Sequence, residues 1–182
     1  MKTIVVHVDG VQGSGKSYIC SELQGACYDT DEIAKEAFET VEQSPSMPKT
    51  NKQIAKLCKQ RVENIIREAQ GVVVFVGMTV KIPKPDYKFF IQVSNLSTLY
   101  KRLTLREMQK IVDKQSEVEQ FLENTDDPKQ FGLIQRITEQ SVKFPINFLE
   151  LKKDYQERAK KARAKGYKVK HQQDIVEFIQ SL

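Results

Sequence analysis

The run Gly10-Val11-Gln12-Gly13-Ser14-Gly15-Lys16-Ser17 has the residue types of a loop that grips phosphate oxygens, and it satisfies the spacing GxxxxGK[ST] without a mismatch. Glycine lets the backbone wrap around an anion with its N–H groups turned inward. Lys16 supplies a point charge for the β- and γ-phosphates of a nucleoside triphosphate, and the Ser17 hydroxyl is of the type that binds Mg²⁺. The context fits as well. The apolar run Thr3–Val8 stands before the loop, and a helical stretch near Lys16–Leu23 follows, whose dipole adds positive character at its start.

Carboxylates placed to work beside such a loop follow the next short apolar run, Ala26–Tyr28. Asp29 and Asp31 alternate, and alternate residues of an extended segment point the same way. One carboxylate at the carboxyl edge of a parallel sheet can accept a hydroxyl proton or orient an acceptor, while Asp31 is the candidate to assist the metal with Ser17. A competing role for Asp31, or for Thr30, is to cap the helix that begins near Glu32; the two roles are compatible. Other nucleotide-binding classes fit less well. Motor ATPases and GTPases usually end a central strand on an aspartate, whereas Val72–Val76 runs into Gly77-Met78-Thr79, and no NKxD motif is present.

The elements that must hold these residues alternate along the chain. Strands are expected at Thr3–Val8, Ala26–Tyr28, Val72–Val76, Phe89–Val93 and Tyr167–Lys170. The third is continuously apolar, as a strand buried on both faces is, which puts it in the sheet centre. Helices are expected at about 32–41, 52–69 and from Leu96 to as far as Leu122, then near 129–142, up to Ala164, and at 174–182. This is an α/β pattern with a parallel sheet in a single domain spanning 1–182.

In order and in residues, Gly10–Ser17, Gly25–Ile33 and Arg102-Leu103-Thr104-Leu105-Arg106 resemble the P-loop kinases of small molecules and nucleotides: nucleoside-monophosphate, shikimate and dephospho-CoA kinases. The resemblance implies a three-layer α/β/α P-loop NTPase fold, a five-stranded parallel sheet in the order 2-3-1-4-5, an acceptor region at about 31–70 and a helical lid at about 102–145. It implies an ATP-dependent phosphotransferase using Mg²⁺, with Lys16, Asp29, Asp31, Arg102 and Arg106 as catalytic candidates. Arg102 would also touch the nucleotide. Asp29, Asp31, Arg61, Gly77, Thr79 and Arg136 are acceptor-site candidates, Arg136 following Asp126-Asp127 as at a lid exit. Arg102 and Arg106 also suit a solvated helix face, and Arg61 an exposed helix position. Asp9, directly before the loop, is similar to the acidic residue of thymidylate and deoxynucleoside kinases. The glycine triplet of shikimate kinases is missing after the third strand.

Composition narrows the rest. Hydrophobic residues make up 40% and charged residues 29%, as in globular domains, and no stretch reaches membrane-spanning length. The first apolar run is too short for a signal peptide, so a cytoplasmic protein is expected. The 3 cysteines, Cys20, Cys27 and Cys58, are expected as reduced thiols, and His7 and His171 as structural. A net charge of +5 suits a partner bearing phosphates. The basic stretch Leu151–Lys170 reads as a solvated helix face rather than a nucleic-acid patch, because few aromatics interleave its charges; a polynucleotide 5′-hydroxyl kinase and a non-enzymatic regulatory module are the rival readings.

Overall fold

The computed structural model describes residues 2–23, 26–123 and 147–182. Five strands form one sheet: β1 (Ile4–Asp9), β2 (Cys27–Asp29), β3 (Val72–Val76), β4 (Tyr87–Ile91) and β5 (Lys168–Lys170). Every pairing is parallel, and the order is β2-β3-β1-β4-β5. The helices are α1 (Lys16–Glu22), α2 (Thr30–Gln43), α3 (Asn51–Glu68), α4 (Leu96–Glu123), α5 (Phe148–Ala164) and α6 (Gln172–Gln180). The chain divides into two compact units, Met1–Ser94 with Tyr155–Leu182, and Asn95–Asp154.

Side-chain alternation along the strands gives the sheet two apolar faces. On one, Val5, Val73 and Phe75 meet Ile33 and Ala37 of α2 and Cys58, Val62 and Ile65 of α3. On the other, Val6, Val8, Val74, Val76, Phe89 and Ile91 meet Ile19 of α1 and Ile175, Val176 and Ile179 of α6. Helices on both faces of a parallel sheet, with the glycine-rich loop between β1 and α1, make this a three-layer P-loop α/β fold. Burying one side chain such as Phe75 or Phe89 contributes about 2–3 kcal/mol, so the sheet is the main store of stability.

Element edges move for physical reasons. β4 starts at Tyr87, two residues before the expected edge, because the Asp86 N–H donates to Val5 O at 2.8 Å while Asp86 Oδ2 accepts from Val5 N at 2.9 Å, bringing β4 into register with β1. The strand expected at the sheet centre, β3, is interior but pairs between β2 and β1, and β1 is the middle strand. The expectation of reduced thiols is overturned: Cys20 near the end of α1 and Cys27 at the start of β2 form a disulfide, and only Cys58 is free, buried in the core. Two cysteines on consecutive elements, seven residues apart in sequence, come within bonding reach, which a count of three did not suggest.

In the second unit α4 runs the full length expected of it. The helix expected near 129–142 lies outside the described residues.

Candidate functional site

β1 is buried along most of its length and delivers Asp9 and then the loop to the carboxyl edge of the sheet. The loop turns where Gly13 (φ 75°) and Gly15 (φ 93°) adopt left-handed conformations that other residues resist, and the Ser14 N–H closes the turn on Val11 O at 3.1 Å. Lys16 Nζ folds over this turn, donating to Gly10 O at 2.9 Å and Val11 O at 3.1 Å. α1 starts at Lys16 and spans seven residues, as expected to within one, so its first turn follows directly on the loop amides and Lys16.

Whether the loop suits a phosphate can be tested on its own atoms. Ser14 is 5% exposed, and its Oγ has no hydrogen-bond partner among the described residues. A buried hydroxyl left without a partner is costly, and a phosphate oxygen would satisfy it. Mg²⁺ is a different matter. No group of three or more His, Cys, Asp or Glu that could hold a metal occurs among the described residues. A magnesium ion here would therefore be shared with the nucleotide, with the Ser17 hydroxyl as the protein's contribution, while Asp31, engaged by Thr79, is left free of the metal for the acceptor.

Charge around Lys16 is compact. Burial pulls its pKa down, and Asp9, Asp31 and Asp29 oppose that in decreasing order. Both sequence-predicted carboxylates are thus close enough to feel the ammonium. Their local roles differ from the expectation, because the chain becomes helical at Thr30 and the two do not lie on one extended segment. Asp29, rather than Asp31 or Thr30, caps α2: its Oδ1 accepts from the Asp31 N–H at 2.8 Å. Asp31 is exposed in the first turn and accepts a hydrogen bond from the Thr79 hydroxyl. The Thr79 N–H in turn donates to Thr30 Oγ1 at 3.3 Å.

Gly77 joins these parts. Its φ is 117°, its N–H donates to Val8 O at 2.9 Å, and a side chain there would meet the Thr30 hydroxyl at 2.3 Å. Its carbonyl accepts from His7 Nε2 at 2.7 Å, so that nitrogen carries the proton and Nδ1 accepts from the Tyr167 hydroxyl at 2.7 Å. Burial pulls the His7 pKa down, consistent with this neutral tautomer, and His7 is structural as expected. Asp9 is also buried; burial pushes its carboxyl up, opposed first by the Gly10 N–H that donates to Oδ1 at 2.5 Å.

Two residues near the loop were not expected. Gln172, the first residue of α6, donates from its side-chain amide to Ser14 O and fills the space beside Gly15. Arg158 of α5 is half-buried and lowers the pKa of both Asp9 and Lys16. Its helix is held by the Tyr155 hydroxyl, which accepts from Val93 N–H at 3.0 Å, and by the buried Ala159 and Ala162. The other Lys and Arg side chains of the basic stretch are exposed, and Arg158 is the half-buried member whose charge is felt at the site. Only its place three residues after Tyr155 on one turn could have singled it out.

Other expected residues are not brought together. Arg61 lies in a cleft of its own between α2 and α3 and pairs with Glu36 at 3.6 Å, both side chains exposed; the acceptor-phosphate role is not supported by this placement. Arg102 and Arg106 are exposed on α4 in the second unit. Arg136, Asp126 and Asp127 lie outside the described residues.

The fold and the loop define a P-loop α/β protein. No protein-family model matches the chain, and none of the curated proteins compared with it does. Among solved structures, a shikimate kinase from Bacteroides thetaiotaomicron is 15% identical, with 75% of this chain and 97% of that chain covered at a TM-score of 0.34. So distant a likeness carries nothing about substrate. No helix among the described residues is long and apolar enough to cross a membrane.

Proposed function

We propose that this protein is an ATP-dependent phosphotransferase acting on a small acceptor. The observation that supports the reading is the glycine-rich loop closed under Lys16, with the exposed Asp31 carboxylate near enough for its charge to act on that ammonium. Loop N–H groups and Lys16 would hold the β- and γ-phosphates, and Arg158 adds positive charge beside them. Mg²⁺, shared with the nucleotide, would neutralise phosphate charge as the reaction proceeds.

Asp31 is the candidate base. It is exposed, it is steered by Thr79, and it can take the proton of an acceptor hydroxyl as the acceptor oxygen bonds to the γ-phosphorus and ADP leaves. Asp29, by contrast, is committed to its cap.

The test is ATP turnover by the purified chain with Mg²⁺ and a panel of acceptors. Lys16→Ala should lower turnover by about a hundredfold or more. Asp31→Asn should do the same, whereas Asp29→Asn should stay near wild type because asparagine caps a helix as well as aspartate does. Full turnover in Lys16→Ala would remove the reading.

A further inference from the structure

A cavity of about 850 Å³ opens between α2, α3 and the loop that follows β3. Thr79 lines it, and Thr79 donates to Asp31, whose charge is felt at Lys16. Thr79 thus belongs both to the cavity wall and to the hydrogen bond that engages Asp31. Its size is ample for a small metabolite.

Resting on the phosphotransferase reading, we propose that the acceptor is an amphipathic anion, a compact aliphatic or aromatic body carrying a hydroxyl and one carboxylate or phosphate. The floor sets the body. Cys58 and Val80 are buried there, with Ile54 beside them, and burial pushes the Cys58 thiol up so that it stays a neutral apolar wall. Every polar side chain on the lining is exposed: Asn51, Lys59, Thr79 and Lys81. A nucleobase or a polyhydroxylated ring needs buried partners for its polar edges, and on this floor each would go unpaired.

The rim sets the charge. Lys59 and Lys81 both line the cavity, and no carboxylate does. Lys59 shares an exposed ion pair with Glu63 at 3.7 Å, while Lys81 makes no salt bridge among the described residues. An ammonium without a partner beside an apolar floor favours a ligand with one anionic end and one apolar end. The acceptor hydroxyl then belongs at the Thr79 side, next to Asp31.

The experiment is calorimetric titration of the whole chain with 3-hydroxybenzoate and 3-hydroxyphenyl phosphate, against shikimate and ribose 5-phosphate as polyol anions. Both aromatic anions should bind about tenfold more tightly than the polyols, and Lys81→Gln should weaken them by about tenfold. Ala55→Trp, an exposed position on the same lining, should abolish aromatic binding by filling the space. Tighter binding of either polyol, or aromatic binding untouched by Ala55→Trp, overturns the proposal. ATP titrated into the same samples separates the two readings. Heat with ATP but no aromatic preference removes only this inference, whereas aromatic binding at the cavity without any ATP binding removes phosphotransfer.

Discussion

Between Asp9 and Ser17 the protein works with its main chain: amides, carbonyls and left-handed glycines are tied by Lys16 and by the Gln172 amide. Across the sheet edge the cavity is made instead of side chains from two helices and a loop, apolar below and charged at the rim. A main-chain grip suits a group common to many ligands. A side-chain cavity can be altered without disturbing that grip, and it is where one acceptor is told from another.

Backbone-directed changes should therefore break the first region, and side-chain changes should only retune the second. The largest effect is expected for Gly77→Ala at their junction. The left-handed φ of 117° and the fully buried Thr30 hydroxyl at 2.3 Å leave no room for a methyl group, at a cost of about 3 kcal/mol in urea unfolding. Next comes Cys20→Ser. Releasing the short Cys20–Cys27 loop should cost about 2.5 kcal/mol by the chain-entropy relation, and reductant should produce the same loss in wild type but none in the variant.

His7 gives a smaller, pH-dependent effect. Its folded pKa lies below the ordinary 6.5, so between those values the unfolded chain binds a proton that the folded one does not. Stability from this group is thus intact above 6.5 and falls as pH drops through that range, at up to about 1.4 kcal/mol per pH unit. His7→Gln should flatten this slope in melts taken between neutral and mildly acid pH. The smallest effect is Arg61→Ala: an exposed pair with Glu36 contributes less than about 0.5 kcal/mol, and turnover should not change. A marked loss of acceptor binding in that variant would extend the side-chain region into the neighbouring cleft.

Local signals were readable and distant ones were not. The strand, loop and helix around Gly10–Ser17 announce themselves because hydrophobic run, glycine spacing and lysine are contiguous. The sheet order followed from the resemblance, and the long α4 from its leucine spacing. Asp29 and Asp31 were found, but their division of labour depends on helix α2 starting at Thr30, a shift of two residues that composition does not fix. Gln172, Arg158 and Tyr167 reach the site from the far end of the chain, and helix periodicity says which face a residue takes without saying what that face meets.

Lys16 has one more consequence. Its ammonium already satisfies two carbonyl acceptors, Gly10 O and Val11 O, and turning to a phosphate oxygen means giving up at least part of that arrangement. Any affinity measured for a triphosphate is then the net of an exchange between partners, and the lysine's worth read from the alanine variant will be smaller than the strength of its contact with the phosphate itself.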